Sequence, residues 1–239
     1  MSIMQVAGLP GMRTAKTSTH RAVTRGGPMP MYLPQGKIIS GDCTTDCGND
    51  PVTRVRAGTL MGKISTVVNS LGVVGEFANS IYGVTTNAEA VGSTSIQAIA
   101  AVITELVRRR GSTGDFYLIG PGSAGGVIVK ELVTYSAASS TNITVTAIAN
   151  AFIAGSFICP TDGSEEPLAF IPDSAPLSMV DSDGTRTKKE WPDLPVGQIV
   201  DSSELLPAWP SDTSLQAWLV SRLNQAGGGK FIFDHLYNA

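Results

Sequence analysis

The pattern of apolar and polar positions divides the chain near residue 37. Residues 1–36 place their apolar side chains at neither period two nor period 3.6, and Gly8, Pro10, Gly11, Gly26, Gly27, Pro28, Pro30 and Pro34 interrupt them. Such a stretch has no face to bury, and it reads as an extended arm that orders only on contact with something else. From Lys37 onward, short extended pieces alternate with turns. Residues 37–40, 54–56, 60–66 and 81–84 read as strands, with a polar loop over 41–50 and breaks at Gly58, Gly72 and Gly75. Residues 116–119 and 127–135 flank a glycine-rich turn and predict a hairpin. Ile143, Val145 and Ala147 alternate with Thr144, Thr146 and Ile148, so 142–149 adds a third strand. Extended pieces at 153–159 and 168–171 follow, and Asp183-Gly184 has tight-turn chemistry.

Two stretches have helical spacing. Ile96, Ile99, Val102, Ile103, Leu106 and Val107 form one apolar stripe over 95–110, with Thr94 or Ser95 as the N-cap. Arg108, Arg109 and Arg110 fall in the last turn, where cations suit the negative end of the helix dipole, and Gly111 stops the helix. An anion site is the competing reading of that triplet; the dipole and a solvated face account for it without a ligand. A second helix opens at Ser211-Asp212-Thr213-Ser214, carries Leu215, Trp218, Leu219 and Leu223 on one face, and ends at Gly227-Gly228-Gly229. Residues 230–237 then read as a buried aromatic strand. The expected class is mainly β (α+β).

Composition sharpens this picture. Of 239 residues only 15% are charged, against roughly 25% in an average soluble domain, while 26 glycines and 14 prolines make the chain turn-rich. It is too apolar for a disordered protein as a whole, and no apolar run reaches the length of a membrane span. The net charge of −3 is unevenly spread. Arg13, Lys16, Arg21, Arg25 and Lys37 precede the first acidic residue, Asp42, giving +5; twelve basic and twenty acidic side chains remain after them, a net −8. A cationic arm on an acidic body suits an anionic surface and argues against nucleic acid as the partner of the body.

The candidate chemistry is sparse. Gly120-Pro121-Gly122-Ser123-Ala124-Gly125 matches a dinucleotide fingerprint, but Val127-Ile128-Val129 after it favours a strand where a helix is required. No acidic residue lies between Glu131 and Asp162 to bind a ribose, so a hairpin turn is the better reading. A hydrolytic triad needs a histidine, and outside the arm only His235, beside Asp234, is present. Glu165/Glu166 and Asp181/Asp183 read as solvated turn residues, and Asp42, Asp46 and Asp50 lack calcium-loop spacing. Cys43 and Cys47 make a zinc half-site that would need partners among Cys159, His20 and His235; free thiols are the default, with no metal and no cofactor expected. These residues point away from an enzyme and toward a structural or binding component.

Arg56-Ala57-Gly58-Thr59-Leu60-Met61-Gly62-Lys63-Ile64 resembles the early motif of tailed-phage head decoration proteins of the lambda type, the capsid cement proteins. Gly48-Asn49-Asp50-Pro51 upstream, and Glu105-Leu106-Val107-Arg108-Arg109, Ile153-Ala154-Gly155-Ser156-Phe157-Ile158, Pro160-Thr161-Asp162-Gly163-Ser164 and Asp212-Thr213-Ser214-Leu215-Gln216-Ala217-Trp218 downstream, are similar to segments of larger members. The chain departs from the family after Ile64, carrying Val67-Val68-Asn69-Ser70 where Thr-Gly-Lys-Tyr is common. The resemblance implies a decoration β fold over 37–90 and 157–239, with 91–156 as an inserted subdomain of helix plus hairpin. It implies a homotrimer on the exterior of the phage head, with the major capsid protein as partner and no nucleic acid or membrane. In that reading 1–36 is the capsid-binding arm. Arg13, Lys16, Arg21 and Arg25 make its charge contacts, and Val23, Met29, Met31 and Tyr32 are its apolar anchors. The alternative is a head-fibre or receptor-type module whose 91–156 segment grips a glycan or host surface through exposed aromatic residues.

Overall fold

The computed structural model describes residues 31–32, 37–44, 54–171, 177–179, 185–191, 195–197, 199–200, 205, 209–225 and 232–233. The first half of the chain lays down β1 (Met31–Tyr32), β2 (Lys37–Ile39), β3 (Arg54–Val55), β4 (Leu60–Lys63), β5 (Phe77–Asn79), β6 (Gly83–Val84), β7 (Ser95–Gln97) and helix α1 (Ala100–Arg110). The long hairpin β8 (Gly114–Pro121) and β9 (Ile128–Ala138) follows, then β10 (Asn142–Val145), β11 (Phe157–Cys159) and β12 (Ala169–Phe170). Short strands β13 (Leu177–Ser178), β14 (Lys189–Trp191), β15 (Pro195–Gly197) and β16 (Ile199–Val200) precede helix α2 (Thr213–Gln225) and β17 (Ile232–Phe233). The fold is mainly β with two helices.

Two sheets organise the body. One has the order β6-β11-β8-β9-β10-β7 and the other β12-β4-β5-β2-β14. Alternation of side chains assigns the six-stranded sheet two buried faces. Phe116, Leu118 and Ile158 point to one face, where Val102, Ile103 and Leu106 of α1 cover them. Ile119, Phe157 and Cys159 point to the other, where Leu215, Leu219 and Leu223 of α2 close over them together with Leu60 and Phe170 from the second sheet. Met61 and Ala169, the neighbours of those last two residues, turn instead into a separate core with Ile39, Val55 and Phe77. The period-two pattern thus lets each sheet serve two cores, and α2 wedges into the one they share.

The expected hairpin forms in continuous register from Gly114 opposite Tyr135 to Pro121 opposite Ile128. The expected first helix is shorter than its apolar stripe. Ser95–Gln97 is a strand with Ile96 opposite Ile143, and the helix begins at Ala100 with Ile99 extended before it. Neither Thr94 nor Ser95 caps it; the Ser95 hydroxyl donates to Asn142 Oδ1. Ile96 is buried, as its place in the stripe demands, but by sheet pairing, which a helical period cannot distinguish from the next turn of a helix. Gly111 ends the helix at φ +90 as expected. The third strand is shorter than expected, ending at Val145. The 91–156 segment shares its sheet with Gly83–Val84 and Phe157–Cys159 on either side of it, with β11 pairing both β6 and β8.

The Gly58-to-Ile64 motif is a close-packing device. Gly58 stands at φ +90, and the Thr59 hydroxyl donates to the Arg56 carbonyl across the turn. A side chain at Gly62 would run into the Ser164 backbone carbonyl and lie 2.7 Å from the Glu166 carbonyl. The 164–166 loop rests directly on β4 because that position has no Cβ. Gly62→Ala is therefore expected to cost about 1–3 kcal/mol through overpacking, seen as a lower urea midpoint with an unchanged slope.

Candidate functional site

Of the expected capsid-binding residues, Arg13, Lys16, Arg21, Val23, Arg25 and Met29 lie outside the described residues. Met31 and Tyr32 form β1, whose backbone pairs with Gly197 and Pro195. At its end the expected arm is therefore a strand of this chain's own body, so a free arm extends at most to residue 30. The Asp183-Gly184 turn, Asp181, Asp46, Asp50, Cys47, His20, Asp234, His235 and the Gly227-Gly228-Gly229 stop also lie outside the described residues.

The glycine-rich turn is a hairpin loop that receives a carboxylate from its own chain. Gly125 N–H donates to Asp212 Oδ2 at 2.8 Å, while Asp212 Oδ1 accepts from the backbone of Ser214 and Leu215 at the start of α2. Desolvation opposes the Asp212 charge, but the three backbone N–H bonds together outweigh it and lower its pKa. One aspartate thus caps the helix and ties it to the hairpin tip. Among the described residues no group of three His, Cys, Asp or Glu is placed to hold a metal, and no helix is long and apolar enough to cross a membrane.

The largest departure from expectation is at the end of α1. Arg108 lies against Glu105, donating from Nε and Nη2 to both carboxylate oxygens at 2.8 and 2.7 Å. Arg109 and Arg110, expected on a solvated face, are buried, with side chains 2% and 3% exposed. Helix dipole complementarity is retained, but hairpin β8–β9 and the 160–164 turn close over the arginines. Arg109 Nη2 donates to Asp162 Oδ2 at 2.6 Å, and Arg110 Nη2 stands 3.7 Å from the same oxygen. Asp162 Oδ1 accepts from the Ser164 hydroxyl and backbone N–H. The Arg109 guanidinium also lies 4.8 Å from the centre of the Tyr82 ring. Burial opposes the Asp162 charge, but Arg109, the two Ser164 bonds and Arg110 outweigh it and lower its pKa.

Asn69 completes this region from the facing loop. Asn69 and Ser70 both have positive φ, forming the tight turn between Val68 and Leu71. The Asn69 amide donates to the carbonyls of Arg110 and Arg109 at 2.7 and 3.3 Å, satisfying two orphan acceptors at the helix end. These residues stand where the chain departs from the decoration-protein pattern. Sequence reasoning missed Asp162, which sits in a Pro-Thr-Asp-Gly-Ser turn and looks like any solvated turn aspartate.

Glu165 and Glu166 also depart from the solvated reading. Lys130 Nζ donates to both, at 3.0 and 3.3 Å, and covers the Tyr117 ring at 4.3 Å, while Arg222 of α2 pairs with Glu166. Exposed apolar side chains are scattered over Val67, Val73 and Val74 beside the Asn69 turn and over Val127 and Leu132 on the hairpin. Cys43 and Cys159 are buried. No family model, no curated protein and no solved structure matches this chain.

Proposed function

We propose that this chain is a capsid decoration protein: a homotrimer on the outside of a phage head that binds the major capsid protein and reinforces its contacts. The observation that carries the reading is the charge-polarised N-terminus, five cations before any acid, joined through β1 to a mainly β body. A segment without a buried face can add as a strand to an exposed capsid edge, with main-chain bonds supplying affinity and its cations steering it to an acidic shell. Three such arms on one trimer raise the effective concentration of each. The motif resembling decoration proteins supports the reading, because its glycines sit at a positive-φ turn and a close loop approach on which this fold depends.

The glycan-binding alternative has less support. Phe116, Tyr135 and Phe152 of the 91–156 segment are buried in the core, and Tyr117 lies beneath Lys130, so these rings are not offered to a sugar. Deleting residues 1–30 tests the proposal. The truncated protein is expected to fold, with an unchanged melting profile, and to lose its coating of expanded capsids in a sedimentation assay. Full occupancy by the truncated protein would refute the role of the arm.

A further inference from the structure

We infer that the cluster of buried cations at the end of α1 holds a small inorganic anion, bound by Arg110 and Arg109 beside Tyr82. The charge count leads there. Two guanidiniums, each almost wholly buried, face one buried carboxylate, Asp162. Glu105 does not balance the second, since Arg108 occupies both of its oxygens. Cys43 does not either: burial raises its thiol pKa and keeps it neutral. Tyr82 is likewise neutral, burial pushing its pKa up to about 12. One positive charge therefore remains in a region closed to solvent, where an uncompensated ion costs several kcal/mol.

The unused donors mark the place. Arg109 Nη1, Arg110 Nε, Arg110 Nη2 and the Tyr82 hydroxyl are all buried without a hydrogen-bond partner. Buried polar atoms left so are rare, and four of them on three residues beside one charge excess, with Arg110 Nη2 only 3.7 Å from Asp162 Oδ2, call for a further acceptor. A water molecule would satisfy hydrogen bonds but leave the charge. A carboxylate from a partner protein would need access that side chains 2% and 3% exposed do not give. A free ion of the halide or small oxyanion class, trapped as the hairpin and the 160–164 turn close, meets both demands. This site is independent of the arm and of the decoration role.

The full-length protein is melted in sodium chloride, sodium phosphate and sodium gluconate at equal ionic strength, gluconate serving as the large comparison anion. Stability is expected to rise saturably with chloride or phosphate relative to gluconate, as for a ligand bound only by the folded state. In Arg110→Gln the apparent affinity should fall by about tenfold or more, since a charge-assisted contact is lost. Equal, non-saturating gains in both proteins would overturn the inference. Should Arg110→Gln fail to fold, wild-type crystals grown in sodium bromide decide. An anomalous peak within hydrogen-bond distance of Arg110 Nε supports the site, and water or nothing at that position refutes it.

Discussion

Asp162→Asn is expected to lower the unfolding free energy by about 3–5 kcal/mol, the range for removing one partner of a buried ion pair. The asparagine side chain fits the same space and keeps an acceptor for Ser164, so little of the loss would come from packing. What disappears is the one negative charge shared by Arg109, at 2.6 Å, and Arg110, at 3.7 Å. The same pair makes stability depend on pH. The folded-state pKa of Asp162 is lowered, so its contribution is complete above the unfolded value of about 3.9 and is lost as pH falls through the lower folded value. Urea midpoints measured across the acid range should therefore drop below about pH 4 in the wild type. They should drop less steeply in Asp162→Asn. A loss under 1 kcal/mol, or parallel acid limbs, would show that the pair does not hold α1 to the 160–164 turn.

Phe157→Ala is expected to cost about 3–5 kcal/mol, as large aromatic-to-alanine changes in closed cores do. Phe157 is fully buried on β11, a strand paired on both sides, so the backbone cannot collapse into the vacated space. Its ring lies 5.9 Å from that of Trp218, tilted at 44°, an aromatic contact between the six-stranded sheet and α2. Loss of the ring should lower the urea midpoint and weaken the near-ultraviolet circular dichroism of the tryptophans. Far-ultraviolet signal should be retained at low denaturant. An unchanged near-ultraviolet spectrum would mean that α2 docks through Leu215, Leu219 and Leu223 alone.

Much of the fold was legible from local pattern. The β8–β9 hairpin, the Gly111 stop and the Asp212 cap each depend on residues close in sequence, and each formed where period, glycine or capping chemistry placed it. The start of α1 was not legible, because Ile96 satisfies a helical stripe and a sheet pair equally; the choice was made by Ile143, forty-seven residues away. Strand β5 was too short to carry a period. It exists because Met61, Gly62 and Lys63 lie opposite it.

The candidate sites divide the same way. The charge asymmetry of the N-terminus is a property of sequence and requires no coordinates. The fate of Arg108, Arg109 and Arg110 is not. Three identical side chains in one turn point in different directions, one to Glu105 and two into the interior. Only the packing of the hairpin and the 160–164 turn over α1 removes the last two from water. Local sequence determined the class of fold, the hairpin, the Gly111 stop of α1, the Asp212 start of α2 and the polarised arm, because turn, capping and period act over a few residues. Tertiary structure decided which charges are buried and which strands pair, because desolvation and sheet register depend on partners far along the chain.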